Sequence, residues 1–313
     1  MQRLAYVFVV MSTVTALICS TVHASAAAKT QDQASQSAGQ VIYSRIPSPT
    51  LGALRTTAIY LPPGYADPAN RSRRYPVLYL LSGAPGSAKD WFRHGKAASA
   101  ADTLIAEGAI TPLIMVSPDG NGGAQRDTQF IDSFNGRERV ETFLTRDVIA
   151  YIDSRYRTIP IALGRALAGF SAGGYGALNI GLHHPNLYGT LAGYSGYYTA
   201  DQSLVTRPKL NNPFGGNPTV LRYNSPSVTA VTIRPVQAPR ILLIDSTVDA
   251  HFTHYAVSFD AELRRLGITH TTVLYEPETA WQRRAWPHSW WFVRYAFAQT
   301  LPIIAATFTA GVR

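Results

Sequence analysis

The chain has 313 residues, of which 46% are hydrophobic and 15% charged, so it belongs to the core-forming globular proteins rather than the disordered ones. This length suits one large domain or two small ones. The net charge is +9, and the basic residues are scattered without a run that interleaves with aromatics. This pattern argues against a nucleic-acid partner, and a basic surface favours an anionic envelope or polymer.

The first 26 residues have the pattern of a secretory signal peptide. Arg3 supplies a positive start, residues 4–19 are largely apolar, and residues 24–26 offer an A-x-A cleavage site. An uncleaved membrane anchor is the alternative, but the apolar stretch is shorter than the ~20 residues that span a bilayer. We therefore expect export, either into the medium or to the cell envelope. Cys19 is the only cysteine, so the mature chain is expected to contain no disulfide.

Residues 27–40 are polar and low in complexity, which predicts a flexible leader before a single domain over residues 41–313. Strands are predicted at 57–61 (as a sheet edge), 76–81, 112–116, 166–168, 187–194, 241–244 and 271–275. Helices are predicted at 98–107, 140–156, 174–183, 255–266 and 288–299. This order predicts an α/β fold with a mostly parallel central sheet and helices on both faces. Residues 200–238 lack periodicity, and we expect them in a substrate-side wall rather than a separate lid domain.

The strongest chemical signal is Gly169-Phe170-Ser171-Ala172-Gly173, a G-x-S-x-G motif between a predicted strand and a predicted helix. Such a turn holds a serine hydroxyl out of the sheet, beside a base and under backbone N–H groups. The flanking glycines allow the turn, because no Cβ collides with the neighbouring elements. Ser171 is therefore the predicted nucleophile, and an ordinary small-residue turn is the alternative.

A nucleophilic serine of this kind needs a histidine and an orienting carboxylate, which follow it in the chain order serine, acid, histidine. Of the eight histidines, His288 has the required place after the predicted strand at 271–275. Asp249, just beyond the strand at 241–244, is the predicted acid. The alternatives for the acid are Asp245 and, more remotely, Glu276 and Glu278.

Asp249 also begins a D-x-H-x-x-H pattern with His251 and His254. Without further ligands, this pattern is more typical of the start of a surface helix than of a metal site. The sequence therefore predicts neither a metal nor another cofactor.

Backbone N–H groups are expected to hold the negative oxygen of the tetrahedral intermediate, each lowering the barrier by roughly 3 kcal/mol. The predicted donors are Ala172, which follows the nucleophile, and Ala84 in the loop after the strand at 76–81. Pro85 has no N–H to donate. Trp91, Arg93 and Tyr197 are candidate substrate-binding residues, with ordinary packing as the alternative.

These motifs resemble the esterase D-like branch of the α/β-hydrolases, which includes the mycobacterial mycolyltransferases of the antigen 85 group. The similarity covers residues 59–298. The segments that carry it are Tyr79-Leu80-Leu81-Ser82-Gly83, Glu141-Thr142-Phe143-Leu144-Thr145, Gly169-Phe170-Ser171-Ala172-Gly173-Gly174, His184-Pro185 followed by Ser195-Gly196, and His288-Ser289-Trp290.

The resemblance implies an acyl-enzyme mechanism with a Ser171, His288 and Asp249 triad and a preformed oxyanion hole at Ala84 and Ala172. Two positions depart from the family pattern. Ser82 stands where many members carry His or Asp. Residues 247–249 are more similar to the esterases of the group than to the mycolyltransferases, whose acid is a glutamate.

The sequence therefore predicts an exported serine carboxylesterase that acts on a small-molecule, lipid or sugar ester. One alternative is an acyltransferase that moves a mycolyl-like acyl group to a sugar such as trehalose. Another is a catalytically inactive binding protein on the same fold. Cell-envelope association is a further expectation from the basic charge, whereas no pattern indicates an oligomeric state.

Overall fold

The computed structural model describes residues 38–123, 127–200 and 212–309. The strands are β1 (Gln40–Ser48), β2 (Ala53–Leu61), β3 (Val77–Leu81), β4 (Ile114–Pro118), β5 (Arg165–Phe170), β6 (Thr190–Tyr194), β7 (Arg240–Ser246) and β8 (His270–Tyr275). They form one eight-stranded sheet in the order β1-β2-β4-β3-β5-β6-β7-β8. The pairs β1–β2 and β2–β4 are antiparallel, and every other pair is parallel. The predicted α/β class with a mostly parallel sheet is confirmed.

The inner strands follow the apolar runs of the sequence. β3 and β4 are buried along their whole length, as expected for strands covered on both faces. The predicted sheet edge at 57–61 is wrong, because these residues belong to β2, which pairs on both sides. The edge is β1, which mixes exposed and buried residues and therefore shows no apolar run.

The helices are α1 (Asp90–Arg93), α2 (Ala97–Ala106), α3 (Val140–Thr142, continued by the π-helical stretch Phe143–Val148 and by Ile149–Arg155), α4 (Ala172–His183), α5 (Pro218–Tyr223), α6 (Pro226–Ala230), α7 (Ala250–Leu266), α8 (Ala280–Ala285) and α9 (Trp290–Thr309). Apolar residues of α3, α4 and α7 pack into the core on one face of the sheet, and those of α1, α2 and α9 into the core on the other. The five predicted helices are all present, whereas the short helices α1, α5, α6 and α8 were not predicted.

The predicted excursion at 200–238 lies partly outside the described residues. From residue 212 onward it contains α5, α6 and one 3-10 turn, Pro235–Gln237. Asn224 ties this part to α4, since its carbonyl accepts a hydrogen bond from the Tyr175 hydroxyl and its Oδ1 accepts one from Asn179 at 3.1 Å. The described part therefore packs directly on the main domain.

The predicted signal segment, residues 1–26, and residues 27–37 of the predicted leader lie outside the described residues. Gln40, at the end of that leader, already belongs to β1. The N–H of Gly39 donates to Asp102 Oδ1 at 2.9 Å. No helix among the described residues has both the length and the apolar character that crossing a membrane requires.

Parallel strands bring their carboxyl ends to one edge of the sheet, which is where α/β folds bind ligands. β3, β5, β7 and β8 run in the same direction. The chain leaves these four strands toward residues 82–87, Ser171, Asp249 and His288 respectively. The fold thus collects on one edge the residues that the sequence analysis singled out.

Candidate active site

Ser171 occupies the sharp turn between β5 and α4. Its backbone has φ 57° and ψ −121°, a conformation that a residue with a Cβ keeps only where its surroundings enforce it. Its N–H donates to the Tyr194 carbonyl at 2.9 Å, which fixes the turn against β6. A Cβ on Gly169 would overlap the backbone of Gly173, and one on Gly173 would overlap the backbone of Leu81. Both motif glycines are therefore needed for this close approach.

His288 meets the serine from a distant part of the sequence. Its Nε2 lies 2.8 Å from Ser171 Oγ, although the two residues are 117 positions apart. His288 precedes α9 and has a φ of 39°. When Nδ1 carries the ring proton, Nε2 accepts the hydrogen bond of the hydroxyl, which is the arrangement of a general base. The structure brings the predicted nucleophile and the predicted base together.

Two phenylalanines hold the imidazole of His288. Phe252 stacks on it with ring centroids 3.8 Å apart and an interplanar angle of 16°. Phe170, beside the nucleophile, contacts it with centroids 5.0 Å apart. Sequence reasoning missed Phe252, whose only signal is its place three residues after the predicted acid. These contacts limit the rotation of the ring.

Asp249 lies beside His288. Its Oδ2 accepts the backbone N–H of His288 at 2.8 Å and lies 3.5 Å from His288 Nδ1. The first contact is a hydrogen bond, whereas the second is longer than one. Asp249 is 7% exposed, and its carboxylate needs only a small movement to accept Nδ1–H. Catalytic hydrogen bonds are often longer before substrate binds.

Asp245, the rival acid, has a different environment. It is completely buried, and its Oδ1 accepts hydrogen bonds from Ser195 Oγ at 3.1 Å and from the Ser246 N–H at 2.8 Å. Oδ2 has no hydrogen-bond partner. Burial above all, together with the charge of Asp249, raises the pKa of Asp245 to about 7. The geometry therefore puts Asp249, not Asp245, against the histidine, while Glu276 and Glu278 are exposed.

The loop after β3 packs directly against the serine. A Cβ built on Gly83 would lie 3.2 Å from Ser171 Cβ. The Gly86 N–H donates to the Gly83 carbonyl at 2.7 Å, and Asp90 Oδ2 accepts the Ser87 N–H at 2.8 Å. These bonds hold the loop in one shape against the nucleophile.

The two predicted oxyanion donors flank this contact. Ala172 is the first residue of α4, so its N–H has no carbonyl partner in a preceding turn and lies at the positive end of the helix. Ala84 follows Gly83 in the loop and is partly exposed. Ser82, where the sequence departs from the family pattern, is 1% exposed and so does not face a ligand.

The predicted substrate contact of Trp91 is wrong. Trp91 is completely buried, its Nε1 donates to the Leu81 carbonyl at 2.8 Å, and its ring packs edge-on against Trp290 with centroids 5.4 Å apart. Its role is packing, because no face of the ring is open to a ligand. Arg93 is exposed at the end of α1.

Tyr197 lies on the loop after β6, where it stacks on Tyr175 of α4 with ring centroids 4.8 Å apart. Its hydroxyl donates to Gln129 Oε1, and its ring also approaches Tyr255 of α7 at 6.2 Å. Gln129 has a positive φ of 51° and was not predicted as part of the site. Tyr197 is partly exposed, so it joins α4, α7 and the 127–130 segment into one aromatic wall.

The sequence analysis predicted no metal at His251 and His254, the two histidines that follow Asp249. In residues 38–123, 127–200 and 212–309, no three His, Cys, Asp or Glu side chains come together as a metal-binding group. His251 and His254 are both exposed, and their rings lie 5.3 and 6.1 Å from that of Tyr255.

The sequence matches a protein-family model described as "Putative esterase" over residues 48–284. The chain belongs to this esterase family. The match extends from the end of β1 into α8, so it includes nearly the whole sheet. The esterase D-like resemblance is thereby confirmed, and the predicted enzyme class, an ester hydrolase, agrees with the family.

Two curated relatives match part of this chain. It is 33% identical over 174 residues to an uncharacterized protein of Corynebacterium glutamicum, covering 55% of this chain and 39% of that protein. It is 36% identical over 145 residues to an endo-1,4-beta-xylanase/feruloyl esterase of Xylanibacter ruminicola, covering 45% and 19% respectively. The aligned region is thus less than half the length of either relative.

Solved structures extend the comparison to the fold. A ferulic acid esterase superposes with a TM-score of 0.70 at 22% identity, and the match covers 86% of this chain and 99% of the other. At this identity the likeness shows a shared fold, and it confirms the predicted α/β-hydrolase fold.

Proposed function

We propose that this member of the esterase family is a serine carboxylesterase, with Ser171 as nucleophile, His288 as base and Asp249 as orienting acid. The observation that carries the proposal is the 2.8 Å contact between Ser171 Oγ and His288 Nε2. The family match supports ester hydrolysis as the reaction class. The strained backbone of Ser171 also supports it, since such strain is kept at functional positions.

In the first half-reaction, Ser171 Oγ attacks the ester carbonyl carbon while its proton passes to His288 Nε2. Asp249 stabilises the imidazolium that forms. The carbonyl oxygen becomes an oxyanion and accepts hydrogen bonds from the N–H groups of Ala84 and Ala172. Collapse of this intermediate breaks the ester C–O bond, and the leaving alcohol takes the proton from His288. An acyl-enzyme remains on Ser171.

In the second half-reaction, water takes the place of the alcohol. His288 removes a proton from the water as its oxygen attacks the acyl carbon, and the same N–H groups hold the second oxyanion. The intermediate expels Ser171 Oγ, which recovers its proton from His288. The products are the carboxylic acid and the free enzyme.

The surroundings of the site favour an ester with a flat acyl group. Phe252 and Trp290 are partly exposed and pack on His288 and Phe170 respectively, so aromatic surface is available beside the triad. Feruloyl esters are the first substrates to test, because one relative and one solved structure are named for that activity.

We further propose that the protein is exported through the signal segment at 1–26. Sequencing the N-terminus of the secreted protein tests this proposal.

The proposal is tested by hydrolysis of p-nitrophenyl esters of increasing chain length and of methyl ferulate. We expect Ser171→Ala to lose at least about 10³-fold in kcat, while Ser154→Ala, which removes an exposed hydroxyl on α3, keeps the wild-type rate. Added trehalose is expected to leave the products unchanged. Wild-type rates in Ser171→Ala contradict the proposal, and an acylated sugar as main product assigns the chain to acyl transfer instead.

A further inference from the structure

Two exposed tryptophans lie side by side next to the candidate site. Trp281 on α8 is 50% exposed and Trp291 on α9 is 54% exposed. Their ring centroids are 5.4 Å apart and their planes meet at 80°. Large aromatic side chains lose much favourable burial when they stay in water. An exposed pair in contact is therefore a feature to explain, and the proposed mechanism uses neither residue.

Each tryptophan has an arginine one helical turn further along. Arg284 follows Trp281 by three residues and Arg294 follows Trp291 by three, so each pair lies on one face of its helix. Both arginines are exposed. We call these four residues, Trp281, Arg284, Trp291 and Arg294, the Trp–Arg surface.

The charges around the Trp–Arg surface are mixed, with cations in excess. Arg283 is a third exposed cation, and Glu276 and Glu278 are exposed in the connection that precedes α8. Lys96 and Glu107 line one pocket together with Arg294. The neighbourhood thus holds four cationic and three acidic side chains, on a chain whose net charge is +9. Both the local and the overall balance favour an anionic partner.

The Trp–Arg surface is held in place without a partner. Thr279 and Gln282 form a capping box that fixes the start of α8. Trp286, just after α8, is 2% exposed and packs against Phe292 and Tyr295 with ring centroids 5.7 and 4.8 Å apart. Both ends of α8, which carries Trp281, are therefore anchored to the domain.

The same surface is connected to the triad through the start of α9. Trp291 is three residues after His288, and its inward neighbour Trp290 packs edge-on against Phe170 with centroids 5.0 Å apart. Phe170 immediately precedes Ser171.

We propose that the Trp–Arg surface docks the protein on an anionic lipid membrane. Indole rings prefer the boundary between head groups and acyl chains, and guanidinium groups bind phosphate in two-pronged geometry. Arginines near an anionic leaflet are attracted to its negative charge, so the loss of two of them is expected to weaken membrane binding at least tenfold. A polysaccharide is the less suitable partner, because two rings at 80° do not offer one flat platform to a sugar chain.

The test is sedimentation of the purified protein with vesicles of phosphatidylcholine alone and with a rising fraction of phosphatidylglycerol. We expect binding to increase with the anionic fraction and to weaken with salt. Trp281→Ala/Trp291→Ala and, separately, Arg284→Gln/Arg294→Gln are expected to lose at least tenfold in partition coefficient. Unchanged melting temperatures check that both variants are folded.

Matched controls remove similar groups from other surfaces. Tyr43→Ala/Val236→Ala deletes two large exposed side chains, and Arg45→Gln/Arg71→Gln deletes two exposed charges; both are expected to bind as the wild type does. Ser171→Ala is also expected to bind, so the result is independent of the proposed chemistry. The proposal is overturned if the wild type does not bind the vesicles, if the control variants lose as much binding as the Trp–Arg variants, or if Trp281→Ala/Trp291→Ala still binds. Tryptophan-dependent binding to insoluble arabinoxylan instead of vesicles would assign the surface to a polysaccharide.

Discussion

Phe252 stacks on the imidazole of His288, with ring centroids 3.8 Å apart and planes only 16° from parallel. Phe252 belongs to the first turn of α7, and Asp249 is the residue that caps this helix. One helix start therefore contacts His288 twice, through a ring on its face and through a carboxylate on its backbone N–H. The position of the proposed base depends on how α7 begins.

Removing that ring is expected to slow the reaction without abolishing it. Stacked aromatic pairs contribute ~0.5–1.5 kcal/mol beyond their buried area, so Phe252→Ala should lower kcat by up to about tenfold and change KM little for a short ester. Steady-state kinetics on p-nitrophenyl acetate measures this, with exposed Val257→Ala on the same helix as control. A wild-type kcat in Phe252→Ala would show that the stacking has no part in positioning His288.

The two candidate acids are expected to respond differently to amide substitution. Asp249→Asn removes the charge beside His288, and we expect kcat/KM to fall by roughly 10³–10⁴-fold, as in other triads. Asp245→Asn replaces a buried acid that is largely protonated near pH 6, so activity there should stay within about threefold of wild type. The reverse ranking of the two variants at pH 6 would reassign the acid to Asp245.

Asp245 is also expected to make stability depend on pH. Burial and the charge of Asp249 raise its pKa from 3.8 to about 7 in the folded protein, so between these values the folded state binds more protons than the unfolded state. The free energy of unfolding therefore falls as pH rises through this window. Asn stays neutral at both pH values. The melting temperature of Asp245→Asn minus that of the wild type should therefore be more positive at pH 8 than at pH 4. A difference that is the same at both pH values contradicts this account.

A second buried ionic group joins α3 to the end of α4. Glu141 Oε1 accepts hydrogen bonds from His183 Nδ1 at 3.0 Å and from His184 Nε2 at 2.9 Å. Burial alone would raise the pKa of Glu141, but these histidines outweigh it and lower that pKa. Burial likewise works against a charged His183, yet Glu141 raises the pKa of His183 above its ordinary value.

This group is expected to stabilise the fold most at mildly acidic pH. Its contribution is lost as pH falls through the lowered pKa of Glu141 and as pH rises through the raised pKa of His183. Glu141→Gln should cost roughly 3 kcal/mol near pH 6, and less on either side of that window. Thermal melting from pH 4 to 9 measures the profile. The control is Glu262→Gln, which breaks the ion pair of the partly exposed Glu262 with Arg265. If the free energy of unfolding lost in Glu141→Gln does not vary with pH, Glu141 and the two histidines do not form an ionic group.

The sequence was sufficient for seven of the eight strands, β2 to β8, and for the order of the chemical groups. Long apolar runs such as 76–81 have only one stable place in an α/β protein, between two helical layers. The G-x-S-x-G turn and the single histidine after the last predicted strand led to Ser171 and His288, which the structure places 2.8 Å apart. β1 escaped prediction because its exposed and buried residues mix.

Side-chain contacts were much less predictable. Trp91 and Tyr197 are both aromatic residues near predicted loops, yet Trp91 is completely buried and Tyr197 is partly exposed. Trp91 is buried because α1 packs against α9, and no local pattern carries that information. The contact of Phe252 with His288 likewise depends on the relative placement of α7 and the loop before α9.

The most direct measurement is labelling with a fluorophosphonate, which reacts only with an activated serine. The account predicts one label per wild-type molecule, located on Ser171 by peptide mass spectrometry, at least about 10²-fold slower labelling of His288→Ala, and no label on Ser171→Ala. Equal labelling of wild type and Ser171→Ala, or a label on another residue, would contradict it.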